Sequence, residues 1–165
     1  MRGNFLALSF AAFMATSSAM AADIPAIKDF RQEAKLSQEK RVPILVMFSA
    51  ENCVYCMHLE EDFLKPMQNG GFYDNKVIIR RLKMGSDDVI DFDGSRITID
   101  ALAQRYSVSV TPTLVFLDSR GHQLTQKMVG LTTPELYGGY LDQAIDTSLD
   151  RLRRNKPLVA KIPGE

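Results

Sequence analysis

The sequence predicts an α/β fold in which a central mixed sheet is flanked by helices. Three observations predict it. The apolar run Ile44-Leu45-Val46-Met47-Phe48 is short and does not alternate with polar residues, as a strand buried on both faces requires. Segments with apolar residues at helical spacing stand before it and after it, around Ile27, Phe30 and Ala34 and around Leu141, Ile145 and Leu149. Asp118-Ser119-Arg120-Gly121 supplies turn chemistry between Leu114-Val115-Phe116-Leu117 and the stretch from Gln123 to Val129, which makes one strand pair antiparallel.

The chain of 165 residues has the length of one domain, and 45% hydrophobic with 24% charged residues is ordinary for a globular protein. Residues 1–21 read as a secretory signal peptide: Met1-Arg2 is the positive start, Phe5 to Met14 the apolar core, and Ala19-Met20-Ala21 the small-x-small cleavage pattern. That core is shorter than the roughly 20 residues of a spanning helix. No later segment is long enough, so no stable membrane insertion is expected after cleavage. Export implies a compartment where disulfides persist, and in a Gram-negative cell this is the periplasm. Loss of Arg2 from 20 basic and 20 acidic side chains leaves a net charge near −1, which argues against nucleic acid as a partner. The expected domain runs over 22–154, with a loose basic tail over 155–165.

Taken in order, Ile27, Phe30, Ala34 and Leu36 predict an amphipathic first helix from about Ile24 to before Arg41. Pro43 opens the first strand. A helix follows from Cys53 to about Met67, interrupted near Lys65-Pro66, with Met57, Leu59, Phe63 and Leu64 facing the core and Glu60-Glu61-Asp62 as a solvated face. Gln68-Asn69-Gly70-Gly71 breaks the chain, Phe72-Tyr73 packs, and Lys76 to Met84 forms the second strand. Gly85 to Arg96 reads as a solvated connector. Its Asp91-Phe92-Asp93-Gly94-Ser95 is similar to a calcium loop but lacks the spaced acids ending in glutamate. Thr98 can cap a short helix carrying Ile99, Leu102, Ala103 and Tyr106. After the predicted hairpin, Thr132-Thr133-Pro134-Glu135 starts a final helix with a capping hydroxyl and a proline in its first turn. Leu136, Tyr140, Leu141, Ala144, Ile145 and Leu149 are its expected core face, and Gly138-Gly139 weakens it locally.

The chemistry concentrates in Cys53-Val54-Tyr55-Cys56, whose cysteines are the only two in the chain. Two intervening residues set the thiols about one helical turn apart, close enough for a small disulfide ring. With Cys53 at a helix start, free backbone N–H groups and the helix dipole favour its thiolate, while Cys56 turns inward. Dithiol–disulfide exchange is the expected reaction. The alternatives are an architectural disulfide or half of a zinc site. Zinc needs about four ligands, and beyond the two cysteines the expected donors are His58 and the distant His122, both of which read more simply as surface residues.

The order helix, strand, CxxC helix, strand, helix, Thr-Pro strand, hairpin strand, helix resembles the thioredoxin family. Ile44-Leu45-Val46 before the cysteines, Tyr106-Ser107-Val108 before Thr111-Pro112-Thr113, and Val129-Gly130 before the last helix stand in the family's order over Arg41 to Thr147. The resemblance implies a three-layer thioredoxin-like fold, here with an extra N-terminal helix. It also implies Cys53 as nucleophile, Cys56 as resolving thiol, a disulfide between them, a cis Thr111-Pro112 bond, and Thr111 with Pro112 as the edge where an extended peptide pairs. Val54 and Tyr55 form the active-site loop in place of the family's Gly-Pro. Met47 stands where thioredoxin buries an aspartate, and Ser49 and Asn52 stand where it has tryptophans. The proton assistance given by that aspartate is then absent or comes from another group, for which Glu51 is a candidate.

The chain looks similar to small periplasmic thioredoxin-related reductases. It implies a disulfide-containing protein as substrate and a membrane thiol-transfer protein as electron donor, since no flavin or nicotinamide motif is present and no cofactor is expected. Tyr55 and Thr111 are also similar to the matching residues of secreted disulfide isomerases. Their separate dimerisation domain is missing, so a monomer is expected. A disulfide oxidase or isomerase, and a non-catalytic peptide-binding module, are the competing functions.

Overall fold

A computed structural model of the chain describes residues 22–154. The predicted leader, 1–21, and the whole of the predicted tail, 155–165, lie outside those residues. Helix α1 spans Phe30–Lys40, strand β1 Ile44–Ser49, helix α2 Val54–Leu59 and strand β2 Ile78–Lys83. A π-helical turn over Glu60–Leu64 joins α2 to helix α3, Lys65–Asn69. Strands β3 (Val89–Ile90) and β4 (Arg96–Ile97), helix α4 (Ile99–Arg105), strands β5 (Thr113–Leu117) and β6 (Met128–Val129), and helix α5 (Pro134–Arg153) follow.

The main sheet has the order β2-β1-β5-β6. Strands β1 and β2 run parallel, and β1 with β5 and β5 with β6 antiparallel. The sheet is therefore mixed and helix-flanked, as expected. Strand alternation sorts its side chains into two layers. Ile44, Val46, Phe48, Ile78, Leu82, Val115 and Leu117 form one layer with residues of α1 and α4. Leu45, Met47, Ile79, Leu114 and Phe116 form the other, with Cys56, Leu59 and Leu64 and with Tyr137, Leu141 and Ile145 of α5. Every residue of β1 is buried, which explains its unbroken apolar run.

Several expectations need correction. Helix α1 starts at Phe30, because the Asp29 side chain accepts a hydrogen bond from Arg31 N at 2.9 Å and ends the extended chain before it. Ile24 and Ile27 are buried by pairing instead: Arg81 N donates to Pro25 O at 2.9 Å and Ile27 N to Arg81 O at 3.0 Å, along the outer edge of β2. The helix after Cys53 does not break at Pro66, whose missing N–H is absorbed next to the π turn. The expected connector is a small hairpin, β3 with β4, and Asp91 within it is 3% exposed. Its carboxylate accepts from Arg105 at 2.6 and 3.0 Å, while Asp93 accepts from Ser95. Thr98 caps α4 as predicted, accepting from Ala101 N at 3.0 Å.

The return strand after the hairpin is short, with an isolated bridge at Leu117 and Gln123 before β6. Gly121 in the turn carries φ +82°, and a Cβ there would lie 2.7 Å from the Phe92 ring. Pro134 does open α5, but Thr133 sits in the left-handed region and its hydroxyl caps nothing. Tyr137, Ser148, Leu141, Ile145 and Leu149 are the buried face of α5, whereas Leu136 and Tyr140 point out. Met57 and Phe72 are likewise exposed.

Candidate functional site

The site forms where β1 delivers the chain to α2. Asn52 takes a left-handed φ of 52°, which turns the chain out of the sheet and into the helix at Cys53. Cys53 is the N-cap of α2: its carbonyl accepts from Cys56 N and Met57 N at 3.1 Å, and its Sγ accepts from Cys56 N at 3.2 Å. The two sulfurs are bonded, with Cα atoms 5.2 Å apart. Cys56 is 4% exposed and belongs to the core layer of Met47 and Leu59, while Cys53 is partly exposed. The helix start thus presents one sulfur at the surface and packs the other below it.

Val54 and Tyr55 form the outer wall of the pair, Tyr55 being 63% exposed. From the far side, the segment before β5 brings Thr111 to the pair: its hydroxyl donates to Cys53 Sγ at 3.6 Å. The Thr111–Pro112 bond is cis, and the buried Pro112 accepts from Gly130 N at 2.8 Å, anchoring this segment to β6. Residues 58 positions apart in sequence therefore meet at one sulfur. Exposed Val54, Met57 and Val110 add apolar surface to this part of the chain.

The charged surroundings differ from expectation. Met47 is fully buried. Glu51, the candidate substitute for a buried acid, is exposed and paired with Lys83. Glu60, expected on a solvated face, is instead 8% exposed, and both its oxygens accept from Arg81 Nη1, at 3.0 and 3.2 Å. It was hidden by its exposed neighbours Glu61 and Asp62. The available signals were its spacing four residues from Cys56 and the Arg80-Arg81 pair in an apolar strand, which must send one guanidinium to each face. His58 lies 3.4 Å from Asp62 and His122 3.2 Å from Asp118, each within its own segment. Among the described residues no group of three His, Cys, Asp or Glu side chains could hold a metal ion, and no helix is long and apolar enough to cross a membrane.

The arrangement can exchange a dithiol for a disulfide. The sequence profile of the thioredoxin-like domain matches residues 30–145. Among solved structures, one titled DsbH oxidoreductase aligns at 17% identity over 88% of this chain and 95% of its own, with a TM-score of 0.52. A thioredoxin h from poplar aligns at 22% identity over 74% and 96%, TM-score 0.49, and a thioredoxin from Nicotiana alata at 19% over 74% and 96%, TM-score 0.43. No curated protein matched the sequence.

Proposed function

Because the chain belongs to the thioredoxin-like domain family and carries the bonded CxxC pair of a thiol:disulfide oxidoreductase, we propose that it is exported and reduces protein disulfides. The observation that carries this reading is the unequal pair: Cys53 caps a helix and is partly exposed, and Cys56 is buried. In the reduced protein the Cys53 thiolate attacks a substrate disulfide, forming a mixed disulfide and releasing one substrate thiol. Cys56 then loses its proton and attacks Cys53 Sγ, and the second substrate thiol leaves. The substrate gains two electrons and the cysteine pair becomes the disulfide. A dithiol partner, proposed to be a membrane thiol-transfer protein, then restores the pair. Substrate backbone pairs beside Thr111 and Pro112 as an added strand.

Export rests on the leader pattern of residues 1–21, and the periplasm and a monomeric state belong to the same proposal. Two measurements test the whole. Cys56→Ser is expected to accumulate mixed disulfides with substrates while Cys53→Ser does not, and equal trapping by both would overturn the assignment. Turnover of insulin by the reduced parent supports a reductase. No turnover in either redox direction would leave a peptide-binding module, and a potential near that of strong oxidants would make the protein an oxidase.

A further inference from the structure

Cys56 and Glu60 stand one turn apart on the same helix, at the i,i+4 spacing that puts Cβ atoms about 5–6 Å apart on one face. The Glu60 backbone N–H donates to the Cys56 carbonyl, so the two residues share a helical turn. Both are buried. The partner of Glu60 comes from the sheet: Arg81 is the register neighbour of Met47, and strand parity puts it on the same face as Ile79 and Met47, the layer that holds Cys56. A carboxylate and a guanidinium thus enter an otherwise apolar layer that also holds the inner sulfur. Across that layer β1 and β5 contribute only Leu45, Met47, Leu114 and Phe116, and α5 contributes Tyr137, whose phenol is neutral. Asp23, from the edge segment, reaches only the outer side of Arg81, at 3.7 Å, and its other partner is Lys65 at 3.2 Å. His58 on α2 is exposed beside Asp62.

We infer that the Glu60–Arg81 pair sets the ionisation of the resolving thiol, Glu60 keeping reduced Cys56 in its thiol form so that Cys53 alone attacks substrate. The inference rests on the reading of Cys56 as resolver. Glu60 touches no reacting atom and acts through Cys56: a nearby carboxylate disfavours a second negative charge, and a nearby guanidinium favours it. A thiol kept protonated at rest is also the better nucleophile once its proton leaves, since nucleophilicity falls as thiol pKa falls. In the resolving step that proton passes to solvent, the Cys56–Cys53 bond forms, the Cys53–substrate bond breaks, and the leaving substrate thiolate takes a proton from solvent. No outside oxidant is required.

The two partners act with opposite sign, and this makes the test. In a Cys53→Ser background Cys56 is the remaining cysteine, and its thiolate can be titrated by ultraviolet absorbance. Glu60→Gln is expected to lower its pKa by about one unit and Arg81→Met to raise it by a similar amount. Glu33→Gln, which removes a carboxylate from the opposite face, should leave it in place. Shifts of the same sign in Glu60→Gln and Arg81→Met, or none, overturn the inference, because a purely structural pair would not produce opposed shifts. If Arg81→Met, which strands a buried carboxylate, does not fold, the double variant Glu60→Gln/Arg81→Met takes its place, since replacing both members of a buried pair is better tolerated than removing one. It must then titrate above Glu60→Gln alone, and equality or the reverse order overturns the inference. Disulfide turnover by the two-cysteine parent is read separately: its absence overturns the oxidoreductase reading, while opposed shifts would still uphold the coupling.

Discussion

The two faces of the sheet are built alike and used differently. Each carries one glutamate from a helix against one of the adjacent arginines of β2: Glu33 of α1 faces Arg80, and Glu60 faces Arg81. Each also buries one tyrosine, Tyr106 at the end of α4 and Tyr137 in α5. The details diverge. Glu33 approaches Arg80 Nε at 2.9 Å but off the hydrogen-bond line, an ion pair by distance alone, whereas both oxygens of Glu60 accept hydrogen bonds from Arg81 Nη1. Tyr106 donates to Gly121 O at 3.0 Å, while the Tyr137 hydroxyl has no partner among the described residues. The face of α1 and α4 closes its polar groups onto its own loops. The face of α2 and α5 holds its polar groups in the layer that also holds Cys56, the resolving thiol of the proposed reaction.

The largest expected effect tests this division directly. Leu102→Ala, at a fully buried site on the α1 and α4 face, should cost about 2–5 kcal/mol of stability. It should leave the pH dependence of mixed-disulfide trapping unchanged. Chemical denaturation and trapping measured on one preparation check both halves, and a shifted trapping profile would blur the division.

The tyrosines should respond with opposite sign at neutral pH. Tyr106→Phe loses a hydrogen bond and strands the Gly121 carbonyl, for an expected loss of about 1 kcal/mol. Tyr137→Phe removes a buried hydroxyl without a partner and should be neutral or stabilising by about 1 kcal/mol. Two losses of equal size would break the contrast. In alkali the faces converge. Burial pushes the Tyr106 phenol up to about 12 and raises Tyr137 as well. The unfolded chain releases these protons from its ordinary value near 10, so the folded state binds more protons above that pH and stability falls as pH rises from 10 toward 12. Either phenylalanine variant should flatten the fall in a denaturation series across that range.

The smallest effect concerns the mouth of the site. Thr111→Val removes the hydroxyl that donates to Cys53 Sγ at 3.6 Å, a long contact to a soft acceptor. The Cys53 thiolate loses a donor worth about 1 kcal/mol, so its thiol pKa should rise and alkylation at neutral pH should slow about fivefold. An unchanged alkylation rate would show that the hydroxyl contributes nothing to the outer sulfur.

The sequence by itself determined the parts whose signals are local. Five consecutive apolar residues specify a strand buried on both faces, Cys53 and Cys56 one turn apart specify a possible ring, and Thr98 and the Asp118 turn specify caps and reversals. These depend on neighbours within about one turn, and the pattern around Thr111-Pro112 could be set against the cysteines through a family resemblance. What only the tertiary structure decided is which charged and apolar side chains the packing encloses. Glu60, Glu61 and Asp62 are equivalent as a run of acids, and Glu60 alone is buried because Arg81, 21 residues away on another element, meets it. Asp91 is drawn in by Arg105, while Leu136 and Tyr140, apolar and near helical spacing, are left outside because Tyr137 occupies the inward position. Burying a charge depends on a partner arriving from elsewhere in the fold, and that arrival is a property of the assembled sheet and its helices.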